Sequence, residues 1–251
     1  MHTSLAKFAL SALASGALLL SSTASLAQEK SLSKAEVEAI VKQVIRDNPE
    51  MILQSVTDYQ KKKQAEAAAD VTKNLPALKG QLQEDPLSPF VGNPKGDVTV
   101  VEFFDYHCGY CKRFLPVIAQ LLESDKKVKM VFKEFPILSD DSTLAAKAAL
   151  AVNKIDKSKY LAFHSSLMEM TTAFTMENLT QKAQELGIDP AVLKKTMESP
   201  DIEKEIAQTR ELALNLDIHG TPALVIGTHI IPGVVPLSDL QSTIDSVRKG
   251  K

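Results

Sequence analysis

The chain has 251 residues, 44% of them hydrophobic and 24% charged, with a formal net charge of −2, no Trp and two Cys. That composition belongs to folded globular proteins and excludes collagen-like and broadly disordered classes. The near-neutral charge gives no electrostatic case for nucleic acid as the main partner, and two thiols exclude a disulfide-dense scaffold or a zinc site of four thiolates.

Residues 1–27 read as a secretory signal peptide. Lys7 supplies a positive start, Phe8 to Leu20 is apolar and small, and Ser25-Leu26-Ala27 places small residues at the −3 and −1 positions of a cleavage site. The apolar run is short for a membrane span. Export would place the two cysteines in an oxidising compartment.

Residues 28–87 read as a separate helical region. Ser33 and Glu36 form a capping box, and Val37, Ile40, Val41, Val44 and Ile45 follow the stripe of an amphipathic helix. Asn48-Pro49 ends that helix and starts a second through Ile52, Val56 and Tyr59. Leu75, Leu78 and Leu82 suggest a further turn or two. Short helices cannot bury such stripes alone. The region is either an extra layer on its own domain or an oligomerisation arm, and the second is the expectation adopted. The run Lys61–Lys63 reads as a solvated helix face.

Residues 88–251 change character. Val98 to Tyr106 is a β-branched and aromatic run suited to a buried strand, 108–123 reads as a helix, and Lys129 to Phe135 as a second strand. A block of helical segments fills about 139–217, broken near Asp156, Gly187 to Pro190 and Ser199-Pro200. Strands at Ala223–Ile226 and His229–Ile231 and a helix over about 237–248 complete the chain. The architecture expected is α/β, a β-α-β frame holding a helical insert.

Both cysteines lie in one motif, Cys108-Gly109-Tyr110-Cys111, at the strand-to-helix turn. Such a motif can be half a metal site, a structural bridge or a redox dithiol. A metal would need His107 and His219 to complete the set, and a bridge over so short a loop constrains little. The strand–CxxC–helix context favours redox chemistry. Cys108 would stand at the helix N-cap, where free N–H groups and the dipole favour a thiolate. Cys108 is therefore expected to be the exposed attacking sulfur, and Cys111 the covered, resolving one. Glu102, in the strand core six residues before Cys108, should have a raised pKa and could exchange a proton with Cys111.

Glu102-Phe-Phe-Asp-Tyr-His-Cys-Gly-Tyr-Cys111-Lys, with Pro116 in the following helix and Gly220-Thr-Pro222-Ala downstream, resembles the thioredoxin superfamily. More narrowly it resembles the DsbA-like thiol–disulfide oxidoreductases of bacterial envelopes, over about 90–248. The N-terminal extension is similar to that of the oligomeric, ScsC-type members. The resemblance implies a thioredoxin-like fold with a helical insert and no cofactor beyond the redox-active Cys108–Cys111 disulfide. It implies a periplasmic location, unfolded or misfolded exported proteins as substrates, a membrane redox partner, and a homodimer or homotrimer through residues 28–87. It also makes Thr221-Pro222 a cis-proline loop facing the disulfide, with the Thr221 backbone pairing with extended substrate and Tyr110 in the substrate-binding set. His107 and His219 could tune the thiolate, although ordinary surface roles are the simpler expectation. Met168, Met170 and Met176 could line a substrate groove but suit core filling better.

Two positions depart from the strongly oxidising pattern of that family, which has Pro-His between the cysteines and Val before the cis-proline. Here Gly109-Tyr110 and Thr221 resemble the dimeric disulfide isomerases. The expected activity is disulfide isomerisation, with oxidation as a second activity. The alternatives are a reductase for one narrow partner and a non-enzymatic copper or zinc binder.

Overall fold

The computed structural model describes residues 32–250, so the expected signal peptide at 1–27 lies outside them. The first helix, α1 (Lys34–Asp47), begins at the expected capping box. Ser33 Oγ accepts from the Glu36 N–H at 3.3 Å, and Glu36 Oε2 accepts from the Ser33 N–H at 2.8 Å. Helix α2 (Pro49–Gln83) starts on a residue whose missing N–H is no loss in a first turn. It runs as one helix past Pro76 to Gln83, where the sequence suggested a separate turn or two.

The chain divides into two compact units at Thr57/Asp58, upstream of the 87/88 boundary expected. The reading of the N-terminal region as an extra layer on its own domain holds for the end of α2. Val37, Ile40, Val41, Val44, Ile45, Ile52 and Val56 are exposed. Leu75 and Leu82, at the end of α2, are buried in the core of the second unit, with Leu78 packed against them. The end of α2 is thus a layer on the sheet.

That sheet has five strands in the order β1-β3-β2-β4-β5: β1 (Phe90–Gly92), β2 (Val98–Phe104), β3 (Val128–Glu134), β4 (Ala223–Ile226) and β5 (His229–Pro232). Strands β2 and β3 are parallel and the other pairs antiparallel. The parallel pair is joined by α3 (Gly109–Ser124), the β-α-β unit anticipated. Strand β1 went unseen because three residues give no period to read. The insert holds α4 (Asp140–Ile155), α5 (Tyr160–Glu169), α6 (Met176–Glu185), α7 (Pro190–Met197) and α8 (Pro200–Asn215), and α9 (Leu237–Lys249) follows β5.

Alternation along β2 divides the core. Val98, Val100 and Phe104 pack with Phe114, Ile118 and Leu121 of α3, with Leu240 and Ile244 of α9, and with the insert. Val101 and Phe103 pack on the other face, against Leu75, Leu82, Leu212 and Leu216. By the same alternation Glu102 belongs to the α3 face. Its carboxyl is therefore carried beneath the helix that bears the cysteines.

Candidate active site

The carboxyl end of β2 feeds a short turn, Asp105–Cys108, and α3 begins immediately after it. Cys108 is the N-cap of α3, with extended backbone (φ −70°, ψ 110°) and no side-chain capping bond. Its sulfur thus stands at the positive end of the helix dipole without being committed to a cap. Its Sγ–H donates to the Thr221 carbonyl at 3.2 Å, and the Thr221–Pro222 bond is cis. The Pro222 carbonyl accepts from the Gly233 N–H at 2.8 Å, which ties this loop to the end of β5. The expectation of an exposed Cys108 needs correction. The residue is 6% exposed, against 1% for Cys111, because the Thr221 carbonyl lies against its sulfur.

Glu102 is 1% exposed, and its Oε2 has no hydrogen-bond partner. Burial pushes its carboxyl up to about 8, with charge on Cys108 adding to the rise. Burial also holds the Cys111 thiol far above the ordinary range, and the Glu102 charge reinforces this. The two groups are therefore electrostatically linked, each disfavouring ionisation of the other. Together they form a buried acid pair behind the more accessible sulfur.

The other expected residues divide. Tyr110 is 60% exposed beside the cysteines, its ring faced by the Arg113 guanidinium at 4.4 Å. His107 Nε2 pairs with Asp141 at 2.9 Å, and its ring lies 4.8 Å from that of Phe174. His219 Nε2 pairs with Asp217 at 2.7 Å. Among the described residues neither histidine is hydrogen-bonded to a cysteine. Met168 and Met170 are core residues and Met176 packs against that core, so filling is what the structure assigns them.

Sequence reasoning missed a buried polar cluster behind the active-site turn. The Tyr106 hydroxyl donates to Glu134 Oε1 at 3.1 Å and lies 3.1 Å from His164 Nδ1. The Tyr160 hydroxyl donates to the same Glu134 oxygen at 3.3 Å. Burial raises the Glu134 carboxyl well above its usual range and pulls His164 down to about 3. His164 is therefore neutral at pH 7, and hydrogen bonds hold Tyr106 in the cluster. Tyr160 and His164 stand four apart on α5, a spacing that places both on one helix face. Nothing in the sequence says which face meets Glu134.

The family model described as a DSBA-like thioredoxin domain matches residues 99–245. The chain belongs to that family. The match runs from β2 through the insert to α9 and contains the CxxC turn and the cis-proline loop. Disulfide bond formation protein D of Bacillus subtilis (strain 168) is 27% identical over 196 residues, covering 74% of this chain and 85% of that protein. The structure of a thioredoxin-like oxidoreductase from Silicibacter pomeroyi DSS-3 is similar with a TM-score of 0.65 at 42% identity, covering 68% of this chain and 98% of that one. Proteus mirabilis ScsC in a transitional conformation has a TM-score of 0.65 at 29% identity, over 88% of this chain and 99% of that one. This DsbA-like chain is therefore a thiol–disulfide oxidoreductase with a thioredoxin-like fold and a helical insert.

Proposed function

We propose that this DsbA-like protein is an oligomeric periplasmic oxidoreductase that isomerises disulfides in exported proteins, with oxidation as a second activity. One observation carries the catalytic part: Cys108 caps α3 and faces the carbonyl of the cis-proline loop, while Cys111 and Glu102 lie buried behind it. As isomerase, the Cys108 thiolate attacks a wrong substrate disulfide. That S–S bond breaks, a mixed disulfide to Cys108 forms, and one substrate thiolate leaves. A different substrate thiolate then attacks the substrate sulfur bonded to Cys108, forming a new substrate disulfide and releasing the Cys108 thiolate. If re-pairing stalls, Cys111 loses its proton, attacks Cys108 and releases reduced substrate. Glu102, with a carboxyl at about 8, can take that proton and return it near neutral pH. As oxidase the same steps run in reverse, from the Cys108–Cys111 disulfide.

Thr221 and Pro222 offer backbone beside the sulfurs for an extended substrate segment, and Tyr110 offers an exposed ring next to them. The preference for isomerisation rests on Gly109-Tyr110 and Thr221, and the location on the leader pattern of residues 1–27. Among the described residues no helix is long and apolar enough to cross a membrane. The exposed stripe on α1 and the start of α2 supports pairing with further copies as a homodimer or homotrimer. A membrane redox partner resets the cysteines in either direction.

Refolding of scrambled ribonuclease, run beside oxidation of reduced ribonuclease, tests the reading. Faster recovery in the first assay than in the second is expected. Activity in the second alone would make the protein an oxidase, and activity in neither would defeat the proposal.

A further inference from the structure

The turn between β2 and the first cysteine is anchored at three successive residues, and the anchors differ in kind. Tyr106 reaches the Glu134 cluster, and His107 reaches Asp141 and Phe174. Asp105 is 1% exposed, and its carboxylate accepts four hydrogen bonds. Oδ1 takes the His107 N–H at 2.7 Å and the Ser142 hydroxyl at 2.7 Å. Oδ2 takes the Ile137 N–H at 2.8 Å and the Leu138 N–H at 3.0 Å. About four lone-pair directions are available to a carboxylate, so this one is saturated.

The four donors come from two places. One belongs to the active-site turn itself. The other three belong to the connection from β3 into the insert and to the first turn of α4. The side chain therefore clasps the turn to the entrance of the helical insert. Meanwhile the backbone of the same residue touches both cysteines. The Asp105 carbonyl accepts from the Cys108 N–H at 3.0 Å, and the Asp105 N–H donates to the Cys111 sulfur, favouring its thiolate.

We propose that Asp105 is the positioning residue of the dithiol: its saturated carboxylate fixes the one peptide segment that hydrogen-bonds both Cys108 and Cys111, and so sets their redox equilibrium from the insert. It acts through backbone and makes no contact with substrate. This rests on Cys108 and Cys111 being the exchanging pair.

Asp105→Asn is the informative change. It keeps the shape but leaves one acceptor oxygen and adds an NH2 group. If the oxygen serves Ile137 and Leu138, the NH2 faces Ser142 and His107. The Ser142 hydroxyl can turn and accept, whereas the His107 N–H cannot. The turn then loses its clasp while the rest of the core is untouched.

The experiment is equilibration of the full-length wild type and D105N with glutathione redox buffers, followed by quantification of the Cys108–Cys111 disulfide. The equilibrium constant of D105N should move by at least threefold, in either direction. A folded D105N whose constant stays within threefold of wild type overturns the proposal, whatever happens to its Tm. Should D105N fail to fold, Ser142→Ala removes one donor and leaves the turn's sequence intact. For that variant a shift of at least twofold supports the proposal and a smaller one overturns it. Wild type that forms no Cys108–Cys111 disulfide in any buffer would overturn the exchange reading, and this inference with it. Wild type that equilibrates beside an unchanged variant overturns the inference alone.

Discussion

At the scale of single residues, Glu102 is the group whose surroundings change its chemistry most. Its carboxyl rises from an ordinary 4.5 to about 8. Between those values the folded chain keeps a proton that the unfolded chain has released. The proton's contribution to stability is complete below about pH 4.5 and is lost as pH rises through about 8. Glu102→Gln removes that loss. Relative to wild type the variant should gain roughly 1.4 kcal/mol per pH unit across the window. Urea unfolding of both proteins at pH 5 and pH 8 checks this, and a stability difference that is the same at both pH values would contradict it. That Glu102 lies in the strand core was legible in the sequence, but its face beneath α3 was not, since a run apolar on both faces shows no alternation. Nor was the role of Asp105 legible. An Asp after a strand reads as an ordinary turn residue, and the partners that saturate it lie more than thirty positions away, at Ile137, Leu138 and Ser142.

At the scale of elements, α2 shows where pattern reading succeeds and where it stops. Ile52, Val56, Leu75, Leu78 and Leu82 were visible as its apolar positions, yet periodicity cannot say what a stripe packs against. The structure puts Leu82 in the core beside Val101, Phe103 and Leu212. Leu82→Ala should therefore destabilise the protein by about 2–5 kcal/mol, as deletion of a well-packed leucine does. The same change at Val56, which is exposed, should cost a monomer under about 0.5 kcal/mol. Denaturant titrations of the two variants separate them, and equal effects would contradict the packing described. Lys133 marks a second limit of the sequence. It sits on β3 within an apolar run, and its Nζ is buried against Ser88 Oγ at 2.5 Å and Glu205 Oε1 at 3.3 Å. Strand β3 was readable, but partners on the β1 approach and on α8 were not, since only the folded chain brings them together. The insert was easier to read, because Asp189-Pro190 and Ser199-Pro200 mark helix starts by local chemistry.

At the scale of the whole molecule, the division at Thr57/Asp58 changes which truncation tests oligomerisation. Removing residues through 85 would also remove Leu75 and Leu82 from the core. Removal of residues 28–57 alone should leave a folded monomer that still exchanges disulfides, while the mature chain should be a dimer or trimer by light scattering. The same number of chains per particle for both would contradict the arm. The thioredoxin-like frame was legible because the β-α-β period and the CxxC turn carry local signals, whereas the Thr221-Pro222 loop was legible only through the family resemblance. The depth at which Cys108 is held was not, because it depends on a carbonyl 113 positions away. The central claim is that Cys108 attacks and Cys111 resolves. Alkylation of the reduced protein at pH 7 with limiting iodoacetamide, read by peptide mass spectrometry, tests it most directly. The predicted result is modification of Cys108 at least tenfold faster than Cys111, since burial and Glu102 hold the Cys111 thiol protonated. Equal labelling of the two sulfurs, or faster labelling of Cys111, would contradict the account.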